Sequence, residues 1–518
     1  MTVELLDSTL REGAQMEGIS FSIQDKIDIF NVLSDLGIAY IEAGNPFSNP
    51  KDAEFFEKAS ALQDRGSKLC AFSSTRAKDV KADEDGGIAA VISSGASCAV
   101  IFGKAHAEQV DKVLKVSKEE NLNMIRETIE YIKGKGLKVI FDAEHYFDGF
   151  VYDREYALET VRTAEEAGAD VVCLCDSNGG TSVTGVSSTV SETAPHLKTA
   201  KLGVHIHNDS DCAVAASIAA VEAGATHVQG SFNGYGERCG IARLTSVIAD
   251  LQLKKGIGCI AGDIKDLTPS AIRIAEIANN ALPRSTPYVG RSAFAHKAGM
   301  HIDAMDKLEG AFEHIDPESV GNKRKILLSE VSGRRAVTKK LTGMFPGLKE
   351  DSSEIESITE ELKNLERDGY QFEGADASFY LMASKKLNNF KQHFTTVHYR
   401  TSGEFPALSD NNASAFVQIN VDGKEETGAA LGNGPVNALD KALRKALAVF
   451  YPSLMNMKLI DYKVRVLSPK EATGAVVRVL VTTTDGSSSW TTVGVSSDII
   501  KASFIALTDS IEYFLAGR

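Results

Sequence analysis

The run LGVHIHNDSD at 202–211 places two histidines two apart at the end of an apolar stretch. Along a strand successive side chains alternate faces, so His205 and His207 share a face while Ile206 points into the opposite layer. Two imidazoles converging on one point can hold a divalent ion, because ring nitrogen suits zinc, manganese and related metals. Asn208 and Asp209 follow at once, as where a strand end opens into a polar site. The plain alternative is a pair of hydrogen-bonded or surface histidines. Two ligands do not make a site, and the third candidate is Glu12 in DSTLREG at 7–13. One carboxylate and two imidazoles leave coordination positions for a substrate, such as a chelated 2-oxo acid whose ketone the metal polarises. Arg11, next to Glu12, offers a guanidinium for developing oxygen charge; its plain alternative is an ordinary salt bridge.

These residues need a scaffold that collects them. Short apolar runs recur eight times in the first 235 residues, at 3–7, 39–43, 68–73, 98–102, 137–144, 170–176, 202–207 and 227–232. Segments of helical period lie between them, closed by glycines where helices stop. Alternating strand and helix, eight times over, predicts an α/β fold with a (β/α)8 TIM barrel, in preference to a doubly wound open sheet. Barrel active sites are built at the C-terminal strand ends. Polar residues cluster there: Arg11 and Glu12 after the first run, Glu42 and Asn45 at the second, Asp142, Glu144 and His145 at the fifth, Asp176, Ser177 and Asn178 at the sixth, and the histidines at the seventh.

The chain of 518 residues carries a net charge of -14, a field that repels nucleic acid and anionic membrane surfaces. Seven cysteines, an odd number without a C-x-x-C pair, read as reduced thiols of a cytoplasmic protein. Cys173 and Cys175 alternate as the histidines do, but their apolar neighbours Val171, Val172 and Leu174 make them core residues. No apolar stretch is long enough to span a membrane. The catalytic barrel is expected over 1–265, a helical accessory region over 266–394, and a C-terminal α+β domain over 395–518. In that last segment strands lead twice into a helix, a weak internal repeat suited to a homodimer.

DSTLREGAQ, HIHND and NGYGERCG, in that order on an expected barrel, resemble the isopropylmalate, homocitrate and citramalate synthase family of the DRE-TIM metallolyases. IEAGNPFSNPKD, IFGK, FDAEHYFDG, LCDSNGGT, VGNKRKILLSEVSGR, GYQFEGADASF and GNGPVNALDKALRKAL resemble its long bacterial citramalate-forming branch, so that nearly the whole chain is covered. The resemblance implies an acyltransferase that condenses acetyl-CoA with pyruvate and hydrolyses the thioester to (R)-citramalate and CoA, opening a route to isoleucine. It implies Glu12, His205 and His207 as ligands of a divalent Mn, Mg, Zn or Co ion. Arg11 would contact the oxo acid with Ser177 and Glu42, Glu144 would take part in proton transfer, and His301 and Asp303 of the accessory region would serve the acetyl-CoA side. The C-terminal domain would bind an end-product amino acid, isoleucine, at the dimer interface.

Three positions depart from the family pattern, the mildest being Ser177 for Thr, which keeps the hydroxyl. Ile241 stands where GERCG is usually followed by Asn, as in homocitrate synthases, and Phe312 replaces the tyrosine expected before EHIDPE. Glu12 and Ile241 keep homocitrate or 2-isopropylmalate synthesis, the same chemistry on another oxo acid, as an alternative. Phe312 keeps a second one, an amino-acid-sensing metal protein impaired in turnover. GYGERCG also imitates a dinucleotide fingerprint, but it follows the eighth strand rather than the first.

Overall fold

The computed structural model describes residues 2–59, 66–297, 299–327, 334–405, 410–467 and 474–517. The chain divides into two units, residues up to 294 with Glu313–Arg324, and Ala295–Phe312 with the residues from Lys325 onward.

In the first unit eight parallel strands close into a barrel in sequence order: β1 (Glu4–Asp7), β2 (Tyr40–Gly44), β3 (Lys68–Ser74), β4 (Cys98–Lys104), β5 (Lys138–Glu144), β6 (Val171–Asp176), β7 (Lys201–Ile206) and β8 (His227–Gly230), with β8 pairing back to β1. The expected (β/α)8 fold is the observed one. Each helix forms for local reasons. The first, Ile23–Asp35, starts at a reciprocal capping box in which Ser22 and Asp25 each accept from the other's backbone N–H, and it buries Ile29, Phe30 and Leu33. It ends at Gly37, whose φ of +79° suits glycine and whose missing Cβ would stand 2.7 Å from the Ala261 backbone.

The barrel interior is layered. Leu6, Tyr40, Cys70, Cys98, Val100, Ile140, Val171 and Cys173 fill an apolar lower part. Glu42, Asp142, His205 and Gln229 are buried above them, nearer the strand C-termini. Charge is expensive to bury without partners, so this upper layer is where function is to be sought.

The second unit contains helices Gly299–Lys307, Arg334–Met344, Ser353–Arg367 and Asp376–Lys386, then two antiparallel three-stranded sheets. Strands Thr395–Gly403, Ala413–Val421 and Lys424–Gly432 lead into helix Pro435–Leu447. Strands Lys458–Val466, Val477–Thr484 and Ser489–Ser496 lead into helix Ile499–Leu515. The repeat legible in sequence extends to packing detail. In each half a glycine of the third strand lets the helix backbone approach: a Cβ on Gly428 would lie 2.1 Å from the Ala442 carbonyl oxygen, and one on Gly494 2.0 Å from that of Ala502. Helix Asp376–Lys386 shares a core with the second sheet, through Phe379 and Val493, and the Ser378 hydroxyl accepts from the Val493 N–H at 2.9 Å.

Candidate functional site

β7 delivers His205 from its penultimate position, and His207 lies one residue beyond the strand, held by a bridge to Ile241. Both imidazoles are buried, their ring centroids 5.3 Å apart. The turn after β1 brings Glu12 and Arg11 to the same rim. The Glu12 N–H donates to the Ser8 hydroxyl at 3.2 Å, and the Glu237 N–H of the loop after β8 donates to Glu12 Oε1 at 3.4 Å. Arg11 lies against the Phe72 ring, 4.0 Å from its centroid, and its Nε donates to Glu42 Oε2 at 2.8 Å; a second arm pairs with Glu12. Glu42 also accepts from the Ser8 hydroxyl.

Electrostatics prepares this group for a cation. Burial alone would raise the Glu12 carboxyl, but the Arg11 guanidinium beside it outweighs this and holds Glu12 below the usual carboxylate range. Burial lowers the His205 imidazole, and burial together with His205 pushes His207 down to about 3. The result is one carboxylate and two neutral imidazoles with lone pairs available. His207 Nδ1 is buried with no hydrogen-bond partner among the described residues, the kind of orphan that a ligand or ion satisfies.

Among the described residues, donor atoms all within 4.8 Å of one another occur instead at Asp142, Cys173 and Cys175. The Glu12 carboxylate is instead paired with Arg11. Chemistry decides between the two groups. Burial pushes the Asp142 carboxyl up to about 8 and the Cys173 thiol well above its usual value; for Cys175 the hydrogen bond with Cys173 lowers the thiol, but burial together with the nearby Asp142 and Glu144 carboxyl groups outweighs it and raises the thiol to about 11. A set of neutral, protonated groups gives a dication no compensating charge. Glu12, His205 and His207 offer a divalent ion one carboxylate and two imidazole lone pairs, and Cys173 and Cys175 are buried inside the barrel, as expected of core residues.

Glu144 ends β5 and forms an ion pair with Lys104 Nζ at 2.6 Å, the two residues being register partners on β4 and β5. Ser177, just past β6, accepts the His145 N–H at 2.9 Å through its hydroxyl oxygen, which keeps its own O–H for another acceptor. Arg238 of the GYGERCG segment donates to the Ser177 carbonyl and to Asp209, so this loop is tied to the ends of β6 and β7. Ile241 is an apolar wall beside His207. A cavity of about 390 Å³ opens beyond it, lined by Asn208, Ile241, Arg243, Lys254, Tyr288 and His314 among others; none of the nine expected site residues lines it.

Seven of those nine, Arg11, Glu12, Glu42, Glu144, Ser177, His205 and His207, belong to the barrel unit and lie at or just beyond the C-terminal ends of its strands. His301 and Asp303 belong to the second unit, on helix Gly299–Lys307. There His301 stacks on Phe312, with centroids 3.9 Å apart, and Asp303 pairs with Lys307 and Arg335. Sequence reasoning passed over Lys104 and Gln229. Lys104 carried a signal, a lone charge ending the otherwise apolar strand CAVIFGK; Gln229, inside HVQG, carried none.

Three family models match the chain. Residues 2–275 match the HMGL-like family, 288–369 the homocitrate synthase post-HMGL domain-like family, and 373–515 the LeuA allosteric (dimerisation) domain. The chain is 47% identical to an (R)-citramalate synthase of Aquifex aeolicus over 99% of its own length and 98% of the relative's. It is 44% identical to one of Geobacter sulfurreducens over 99% and 97%. A probable 2-isopropylmalate synthase of Methanopyrus kandleri is 31% identical over 100% and 99%.

Proposed function

This chain belongs to the (R)-citramalate synthase family, and from that membership we propose that it joins acetyl-CoA to pyruvate and releases (R)-citramalate and CoA. The observation that carries the reading is the convergence of Glu12, two neutral imidazoles and a buried arginine at one barrel rim. Glu12, His205 and His207 hold a divalent Mn, Mg, Zn or Co ion, which when bound supplies Lewis-acid polarisation of the ketone. Arg11, fixed in place by Glu42 and Phe72, stabilises negative charge on the substrate oxygen. The free O–H of Ser177 suits the substrate carboxylate. Glu144, paired with Lys104, moves the proton of the acetyl methyl group, and His301 and Asp303 serve the acetyl-CoA side.

The matched dimerisation domain supports a homodimer under allosteric control, with isoleucine as effector and citramalate formation opening a route to that amino acid. The reading places the enzyme in the cytoplasm; no helix among the described residues is long and apolar enough to cross a membrane. Ile241 favours a second reading, condensation on 2-oxoglutarate, since it sets an apolar wall where the family has Asn.

The deciding experiment measures free thiol released from acetyl-CoA with each oxo acid in turn. Pyruvate is expected to give by far the highest kcat/KM. Preference for 2-oxoglutarate or 2-oxoisovalerate would move the chain to another branch, and no release with any would leave a binding protein. Within the reaction, Glu144→Gln is expected to cut turnover by ~10²- to 10⁴-fold, the range of general acid-base groups, with a smaller change in pyruvate binding.

A further inference from the structure

Asp142, Cys173, Cys175 and Gln229 are buried polar residues to which the reaction gives no task, and they form one connected row that ends on His205. Strand register builds it: Cys175, His205 and Gln229 are neighbours across β6, β7 and β8, and Asp142 lies beside Cys173 across β5 and β6. Gln229 Oε1 lies 2.8 Å from His205 Nδ1, and Gln229 Nε2 donates to Asp142 Oδ1 at 2.7 Å. The Cys173 thiol lies within 4.8 Å of the same carboxyl group.

An amide side chain has one accepting end and one donating end. Asp142 Oδ1 accepts from Nε2, which a carboxyl carrying its proton on the other oxygen does as well as a carboxylate, so the accepting end of the amide faces His205. An oxygen can only accept, which leaves the proton on Nδ1 and the lone pair on Nε2. Gln229 is fully buried, so water does not compete for these bonds. The geometry points to Gln229 as a positioning residue that fixes the tautomer and ring direction of His205, making Nε2 the metal-binding nitrogen. The inference rests on the reading that His205 holds a divalent ion. It also gives the thiol and carboxyl trio a role as the buried anchor that orients the amide.

Chelator competition on the full-length protein, with Zn²⁺ alone as probe, tests it. Gln229→Met keeps the bulk and loses the acceptor; its Zn²⁺ affinity is expected to fall ~10- to 100-fold, as when a partner behind a ligand histidine is removed. Gln229→Glu keeps an acceptor for Nδ1–H and is expected to stay within ~3-fold of the parent. An unchanged Gln229→Met, or a Gln229→Glu as weak as Gln229→Met, would overturn the assignment. A third measurement needs no variant: ¹⁵N-histidine NMR of the Zn²⁺-loaded parent is expected to show His205 bound through Nε2 with a protonated Nδ1. Binding through Nδ1 would overturn it. If His205→Ala leaves Zn²⁺ uptake of the parent unchanged, the metal reading itself fails, and the Gln229 variants need not be consulted.

Discussion

His205 and His207 at the rim and His227 at the other end of the same barrel are equally hidden from solvent, on adjacent strands, yet their surroundings differ in kind. His227 begins β8, touches the edge of the Tyr40 ring at 5.7 Å between centroids, and has no hydrogen-bond partner at either nitrogen among the described residues. Burial pushes its imidazole down to about 4, much as it does at the rim. A buried, depressed imidazole is therefore no sign of a site. The rim pair differs because Glu12 stands beside both rings, Gln229 orients one of them, and the strand ends open toward loops that can admit a substrate.

The largest test of that contrast exchanges single rings. His207→Ala is expected to leave a folded protein with no tightly bound divalent ion. Because a Lewis acid supplies several kcal/mol, its loss should lower turnover on the order of 10³-fold or more. His227→Gln is expected to keep the ion and to leave turnover within a few-fold of the parent, as for a residue remote from the chemistry. Elemental analysis after exhaustive dialysis checks both variants. Full occupancy in His207→Ala would remove that residue from the ligand set, and a metal-free His227→Gln would erase the contrast.

The same contrast shows what a sequence can carry. The eight strands were legible because each is a short apolar run, and the rim was legible because carboxylates, histidines and amides gather at the C-terminal ends of several of those runs. His205 and His207 were legible because strand periodicity alone places them on one face. Gln229 and Lys104 were not, since their significance lies in register: His205 meets Gln229, and Lys104 meets Glu144, only once the barrel closes. The orientation of the Gln229 amide depends on Asp142, 87 residues away in sequence, and no local pattern contains it. In the second unit the repeat of strands and helices was readable, as was the place of His301 and Asp303 in an accessory region of helical character, but the stacking of His301 on Phe312 was not.

Acid sharpens the comparison at the His227 end. Its folded value of about 4 lies below the ordinary 6.5, so the unfolded chain takes up a proton first as pH falls. Stability tied to the neutral ring is fully present above pH 6.5 and is lost between there and pH 4. At pH 5 the loss amounts to about 2 kcal/mol. The metal-free parent and His227→Gln can be unfolded in denaturant at pH 8 and at pH 5. The parent is expected to lose about 2 kcal/mol more than the variant over that interval. Contributions of opposite sign from Asp7 and Asp142, whose carboxyls burial raises to about 7 and about 8, are common to both proteins and cancel in the difference. Equal losses would mean that His227 is not held neutral by its surroundings.

The smallest effect is expected where the donor atoms are packed most tightly. Cys175 lies between the two histidine environments in kind: it is the register neighbour of His205, yet its thiol is protonated and donates to the Cys173 carbonyl oxygen at 3.8 Å. If Asp142, Cys173 and Cys175 held the ion, removing one thiolate would abolish binding, because thiolates would be the dominant ligands of such a site. If the ion belongs to Glu12, His205 and His207, Cys175→Ala removes one buried sulfur atom and a weak hydrogen bond. The cost should then be about 1 kcal/mol of stability, the usual size for a modest core truncation, with one divalent ion still bound per chain. Metal content and the denaturation midpoint, measured on the same preparation, separate these outcomes. Loss of the ion with little loss of stability would transfer the metal from the imidazole rim to the thiols, and the role given to Gln229 would go with it.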